Sequence, residues 1–126
     1  MNKPIVRLLA HERIVARGTE RTTWWVYIDE QWLPVRNHPE VVLEQLNAGP
    51  QVVWETAAEL PLELGTWLLR VRYSPLHAPP RDPLGYLDRE ELRARQKEER
   101  SYFRVGPRGT LSAARGVEPP PLLPTT

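Results

Sequence analysis

Residues 22–35, TTWWVYIDEQWLPV, decide how this chain folds. Residues suited to a pleated, half-buried strand run unbroken from Thr22 to Ile28, and Asp29-Glu30 separates them from the shorter run Gln31–Val35. A two-residue connection predicts a hairpin in which Ile28 faces Gln31, Tyr27 faces Trp32, Val26 faces Leu33, Trp25 faces Pro34 and Trp24 faces Val35. Successive side chains on a strand point to opposite faces, so the two adjacent tryptophans part company. Trp24, Val26, Leu33 and Val35 make an aliphatic-rich core face. Trp25, Tyr27, Trp32 and Pro34 make an aromatic face where a solvated sheet is normally polar.

Outward from the hairpin, "PIVRLL" (4–9) and "RIVAR" (13–17) are short β-branched runs, and Gly18 turns the chain into the first hairpin strand. In "NHPEVVLEQLNAGP" (37–50), Asn37 or His38 can cap a helix over 39–48. Pro39 suits its first turn, Val42 and Leu46 lie four apart on one side, and Gly49-Pro50 stops it. "QVVWE" (51–55) and "TWLLRVRY" (66–73) return to strands; in the second, Trp67, Leu69, Val71 and Tyr73 alternate with Thr66, Leu68, Arg70 and Arg72. The stretch between them reads as a loop or a short helical turn.

"SPLHAPPRDPLGYL" (74–87) is a largely extended, proline-rich linker. Asp88 followed by Glu91 resembles a capping box, and Glu91 with Arg95 is a favourable pair four apart, so a helix is expected over 88–103. It has almost no apolar stripe between Leu92 and Tyr102 and would be a solvated arm pinned at its ends. The fold expected is α+β: a twisted, mainly antiparallel sheet of about five or six strands, one helix packed on it over 39–48, and a charged C-terminal helical arm over 88–103. The domain plan is a core over 1–75, a proline-rich linker over 76–87, the arm over 88–106 and a glycine- and proline-punctuated tail over 107–126, disordered from about Gly116.

Composition bounds the chemistry. The 126 residues suit one domain. Nine of the 14 prolines lie at or beyond Pro75, so the last third is the less compact part. With no cysteine there is neither a disulfide framework nor a thiolate zinc site, which fits the cytoplasm. No apolar run approaches the roughly 20 residues of a membrane span. A net charge of +1 argues against duplex DNA binding by bulk electrostatics, although residues 100–115 carry Arg100, Arg104, Arg108 and Arg115 and no acid.

His11, His38 and His77 are far apart in sequence, and no nucleophile elbow, phosphate-binding loop or dinucleotide fingerprint occurs. "VGPRGTLS" (105–112) reads as a turn, although its glycines and Arg108 could cradle a phosphate. "PPPLLP" (119–124) holds a P-x-x-P spacing of the sort that proline-rich tails carry without a role in recognition. No cofactor or metal is expected, and catalysis is not the favoured class.

Function then rests on what covers the aromatic face. The helix or the arm could cover it, a protein partner could dock on it, or single-stranded nucleic acid could stack on it. The favoured expectation is a small non-catalytic accessory or regulatory protein docking on a larger assembly, such as transcription or replication machinery, in the manner of a phage or mobile-element regulator. Trp25, Tyr27, Trp32, Arg95, Tyr102 and Phe103 would contact a protein partner. The alternative is a single-stranded nucleic-acid-binding module using Arg70, Arg72, Arg100, Arg104, Arg108 and Arg115; a small-molecule enzyme without a recognisable motif is a further one. The oligomeric state is open, since exposed sheet edges could pair two copies.

Overall fold

The computed structural model describes residues 2–16, 18–46, 49–75 and 96–121. Among these the chain is almost wholly β. The strands are β1 (Ile5–Val15), β2 (Gly18–Ile28), β3 (Gln31–Pro34), β4 (Val42–Gln45), β5 (Val52–Pro61), β6 (Trp67–Pro75), β7 (Gln96–Val105) and β8 (Leu111–Ala113). Helical geometry is confined to single 3-10 turns at Val35–Asn37 and Pro107–Gly109. All strand neighbours are antiparallel, in the order β4-β5-β1-β2-β6-β7-β8, with β3 also on β2.

The α+β expectation is therefore overturned at both proposed helices. Over 39–48, the described residues make a turn and then the edge strand β4. His38 Nδ1 accepts the Glu40 N–H at 3.0 Å and the His38 carbonyl accepts the Val41 N–H at 3.2 Å, which ties Pro39 into a tight turn. Val41 and Val42 then favour extension, and β5 offers a ladder that so short a helix could not match.

The charged arm of 88–103 fails as a helix for a related reason. Residues 88–95, like the 76–87 linker, lie outside the described residues, but Gln96–Val105 is β7, paired along its length with β6 from Pro75 to Trp67. The expected helical pair Glu91–Arg95 lies outside the described residues, and within β7 the charges pair at the strand period: Lys97 Nζ meets Glu99 at 2.8 Å and Arg100 Nε meets Glu98 at 2.9 Å. Tertiary pairing with β6 outweighs local helix propensity. Further differences run the same way. The two runs at 4–17 merge into one strand, β1, and the supposed loop after Glu55 continues β5 to Pro61; β4, β7 and β8, none of them expected as strands, bring the count among the described residues to eight.

The hairpin register is as expected for Trp25–Ile28 against Pro34–Gln31. Asp29 and Glu30 both take positive φ, 51° and 62°, so the turn has the left-handed centre that matches strand twist although neither residue is glycine. β3 occupies only half of that edge of β2; the other half, Gly18–Thr22, pairs with Val15–His11 of β1. Beyond His11, β1 leaves β2 and stays with β5 alone. The Trp24 indole N–H reaches across the divergence to the Leu9 carbonyl at 2.9 Å.

The sheet then curls until its parts meet. Gly109, after β7, lies so close to the start of β1 that a Cβ there would stand 2.0 Å from the Ile5 carbonyl oxygen; its φ is +79°. The Leu62 N–H donates to the Pro4 carbonyl, and Gly65 and Val105 are joined by a 2.8 Å bond from the Gly65 N–H. Val6, Leu8, Ala58, Leu60 and Leu62 thus share one core with Val26, Val35, Leu68 and Val105, and Trp24, Leu33 and Phe103 pack against it. Each fully buried leucine contributes on the order of 1.5–3 kcal/mol. No helix among the described residues is long and apolar enough to cross a membrane.

Candidate functional site: an aromatic face and an open groove

Cross-strand partners share a face, so the registers extend the aromatic face well beyond the hairpin. Trp25 pairs with Pro34 on one side and Leu69 on the other, Leu69 pairs with Tyr102, and Trp67 pairs with Arg104. The rings follow: Tyr27 and Trp32 centroids lie 5.3 Å apart, Trp32 and Tyr102 5.9 Å, and Tyr102 and Trp67 6.4 Å, edge to face. The Arg104 guanidinium sits 4.7 Å from the Trp67 ring centroid and its Nε donates to the Gly65 carbonyl at 3.0 Å.

Where β1 parts from β2, the same face opens into a groove of about 410 Å³. Leu8, Ala10, Trp54, Thr56 and Ala58 form one wall; Arg21, Thr23, Trp25 and Tyr73 form the other; Trp24, Pro34–Arg36 and Leu43 complete the lining. The size is that of a ligand site rather than of a packing defect. Its charged lining residues are Arg21 and Arg36, both exposed. The wall opposite Arg21 is mostly apolar and carries Trp54, whose indole N–H is held by Glu12 Oε2 at 3.3 Å. Leu43 carries the apolar lining out to the sheet edge, where Val42 and Leu43 are 66% and 50% exposed.

Of the residues expected to contact a partner, the fold gathers Trp25, Tyr27, Trp32 and Tyr102 on one face. Phe103 falls on the other, packed against the core with its ring 5.7 Å from Trp24, and Arg95 lies outside the described residues. The arginines expected for nucleic acid do not make a stripe. Arg70 lies between Trp24 and Phe103, 5.9 and 5.2 Å from their centroids, where burial and then the neighbouring Arg72 lower its pKa. Arg72 faces Glu20 at 4.0 Å on that same face. Arg100 is bonded to Glu98, which raises its pKa, and Arg104 covers Trp67. Arg108 is in the Pro107–Gly109 turn and Arg115 follows β8.

Sequence reasoning missed Trp54, Trp67, Tyr73, Arg21 and Arg36 as parts of this face. The alternation Trp67-Leu69-Val71-Tyr73 placed its two aromatic residues on a common side, but only the pairing of β6 with β2 tells which side. The histidines stay apart: His11 Nε2 approaches Glu20 at 3.8 Å, His38 is buried in its turn, and His77 lies outside the described residues. Among the described residues no three metal-ligating side chains come together. No protein-family model, no curated protein and no solved structure matches this chain.

Proposed function

We propose that this chain is a small docking protein whose groove takes an extended segment of a protein partner, apolar along its length and acidic at one end. The observation that carries this is the groove lining: Trp24, Trp25, Trp54 and Tyr73 supply rigid apolar surface, and Arg21 and Arg36 are its charged residues. Desolvated aromatic rings beside arginine are the residue types that dominate interface hot spots. An extended segment suits the site because β4 is an edge strand carrying Leu43 on the groove side, so a strand added there would lay alternate side chains into the groove.

The dispersal of the arginines expected for nucleic acid over both faces, with Arg72 and Arg100 beside carboxylates, supports a protein partner over a phosphate backbone. The test is selection of peptides from a random display library on the intact immobilised chain. Enrichment of apolar or aromatic residues flanked by Asp or Glu, lost with Trp25→Ala and with Arg36→Glu, is the expected outcome. Enrichment indifferent to both substitutions overturns the proposal, and tight binding of oligo-dT that collapses with salt would favour the nucleic-acid alternative.

A further inference from the structure

A second feature of the aromatic face lies apart from the groove. After β8 the chain crosses Tyr102, whose carbonyl accepts the Ala114 N–H at 3.0 Å, and bends at Gly116, where φ is +72°. It then runs back over the rings. The Trp32 indole N–H donates to the Pro120 carbonyl at 3.3 Å, across 88 positions of sequence. Pro119 and Pro120 are half-buried there, while Glu118 and Pro121 are exposed.

The chemistry of this contact is specific. Glu118, Pro119 and Pro120 each precede a proline, which drives them into the extended left-handed polyproline conformation, and their peptide bonds are trans. Pro119–Pro121 has no N–H to give, so the segment cannot join the sheet as a strand. It can offer only carbonyls and ring faces. An indole N–H aimed at a proline carbonyl, set among tyrosine and tryptophan rings, is what recognition of a preformed polyproline helix requires.

We propose that the cradle of Tyr27, Trp32, Tyr102 and Trp67 is a receptor for polyproline segments, occupied in the free protein by the chain's own Pro119–Pro121 and opened when a proline-rich segment of a partner displaces it. Trp32 anchors the ligand and the three other rings bed its proline faces. The tail acts as a tethered competitor: a short link holds it at a millimolar effective concentration, which sets the threshold an incoming segment has to exceed. This site is independent of the groove, since Trp32, Tyr102 and Trp67 do not line it.

The test uses the intact ¹⁵N-labelled chain, whose five tryptophans give five indole N–H signals, with Trp32 assigned through Trp32→Phe. The probe is the free peptide EPPPLLP. In the full-length triple variant Pro119→Ser, Pro120→Ser, Pro121→Ser, the peptide should move the Trp32 signal and bind roughly tenfold more tightly than to the native chain. Trp32→Phe in that background keeps a ring but removes the donor and should weaken binding about two- to tenfold. Should the triple variant unfold, the native chain carries the same test at millimolar peptide, where the Trp32 signal should still shift. Equal affinity for native and triple-variant chains, binding that leaves Trp32 unmoved, or no binding to either chain would overturn the proposal. Trp25→Ala, which disables the groove, should leave this titration unchanged.

Discussion

Trp24 and Trp25 are neighbours in sequence, both half-buried and both at the groove, yet they sit on opposite faces of β2. Trp24 packs on the core, 5.7 Å from Phe103, and its indole bridges the gap where β1 leaves β2. Trp25 stands between Leu69 and Pro34 on the aromatic face. Exposure does not separate them; their partners do. On this curled antiparallel sheet, one side of β2 packs on the core, whereas the other carries Trp25 and Tyr27 into the aromatic face.

This contrast can be broken or sharpened in steps of decreasing size. Gly109→Ala attacks the closure on which the core side depends. A methyl cannot fit against Ile5 at that φ, so unfolding in urea should show a loss on the order of 2–4 kcal/mol. Arg70→Met leaves the aliphatic stem but removes the cation held between Trp24 and Phe103. The same measurement should show a change of at most about 2 kcal/mol, reduced further because burial already opposes the charge. Arg36→Glu on the groove side should leave the unfolding midpoint within about 0.5 kcal/mol of the native chain while abolishing selection of acidic peptides.

The smallest effect belongs to the exposed end of β7. Lys97 holds the Glu99 carboxyl below its ordinary range by hydrogen bond and charge. A lowered folded-state pKa contributes stability above the unfolded carboxylate pKa and loses it as pH falls through the lower value. Acid titration should therefore destabilise the native chain slightly more than Lys97→Met, at a level that high salt removes.

How much of this was legible in the sequence follows from the range of each interaction. The hairpin register was readable because a two-residue turn fixes it locally, and the separation of Trp24 from Trp25 needs only the alternation of a strand. The meeting of Trp32 with Tyr102 and Trp67 was not, because it requires the order β2-β6-β7, which joins segments far apart in sequence. Gln96–Val105 misled because Lys97, Glu98, Glu99 and Arg100 are strong helix formers, and nothing local reveals that β6 awaits a partner. The region around Val42 misled because its capping signals serve a turn as readily as a helix. The contact of the tail with the sheet was not legible either, because the Pro120 carbonyl accepts from the Trp32 indole N–H, 88 positions away.

The central claim is that adjacent tryptophans on β2 divide between fold and function, and one pair of unfolding curves tests it. Denaturant titration of the full-length Trp24→Ala and Trp25→Ala variants should give a loss of about 3–5 kcal/mol for the first and about 1 kcal/mol for the second. Equal losses, or a larger loss for Trp25→Ala, would contradict it and return the aromatic face to the core.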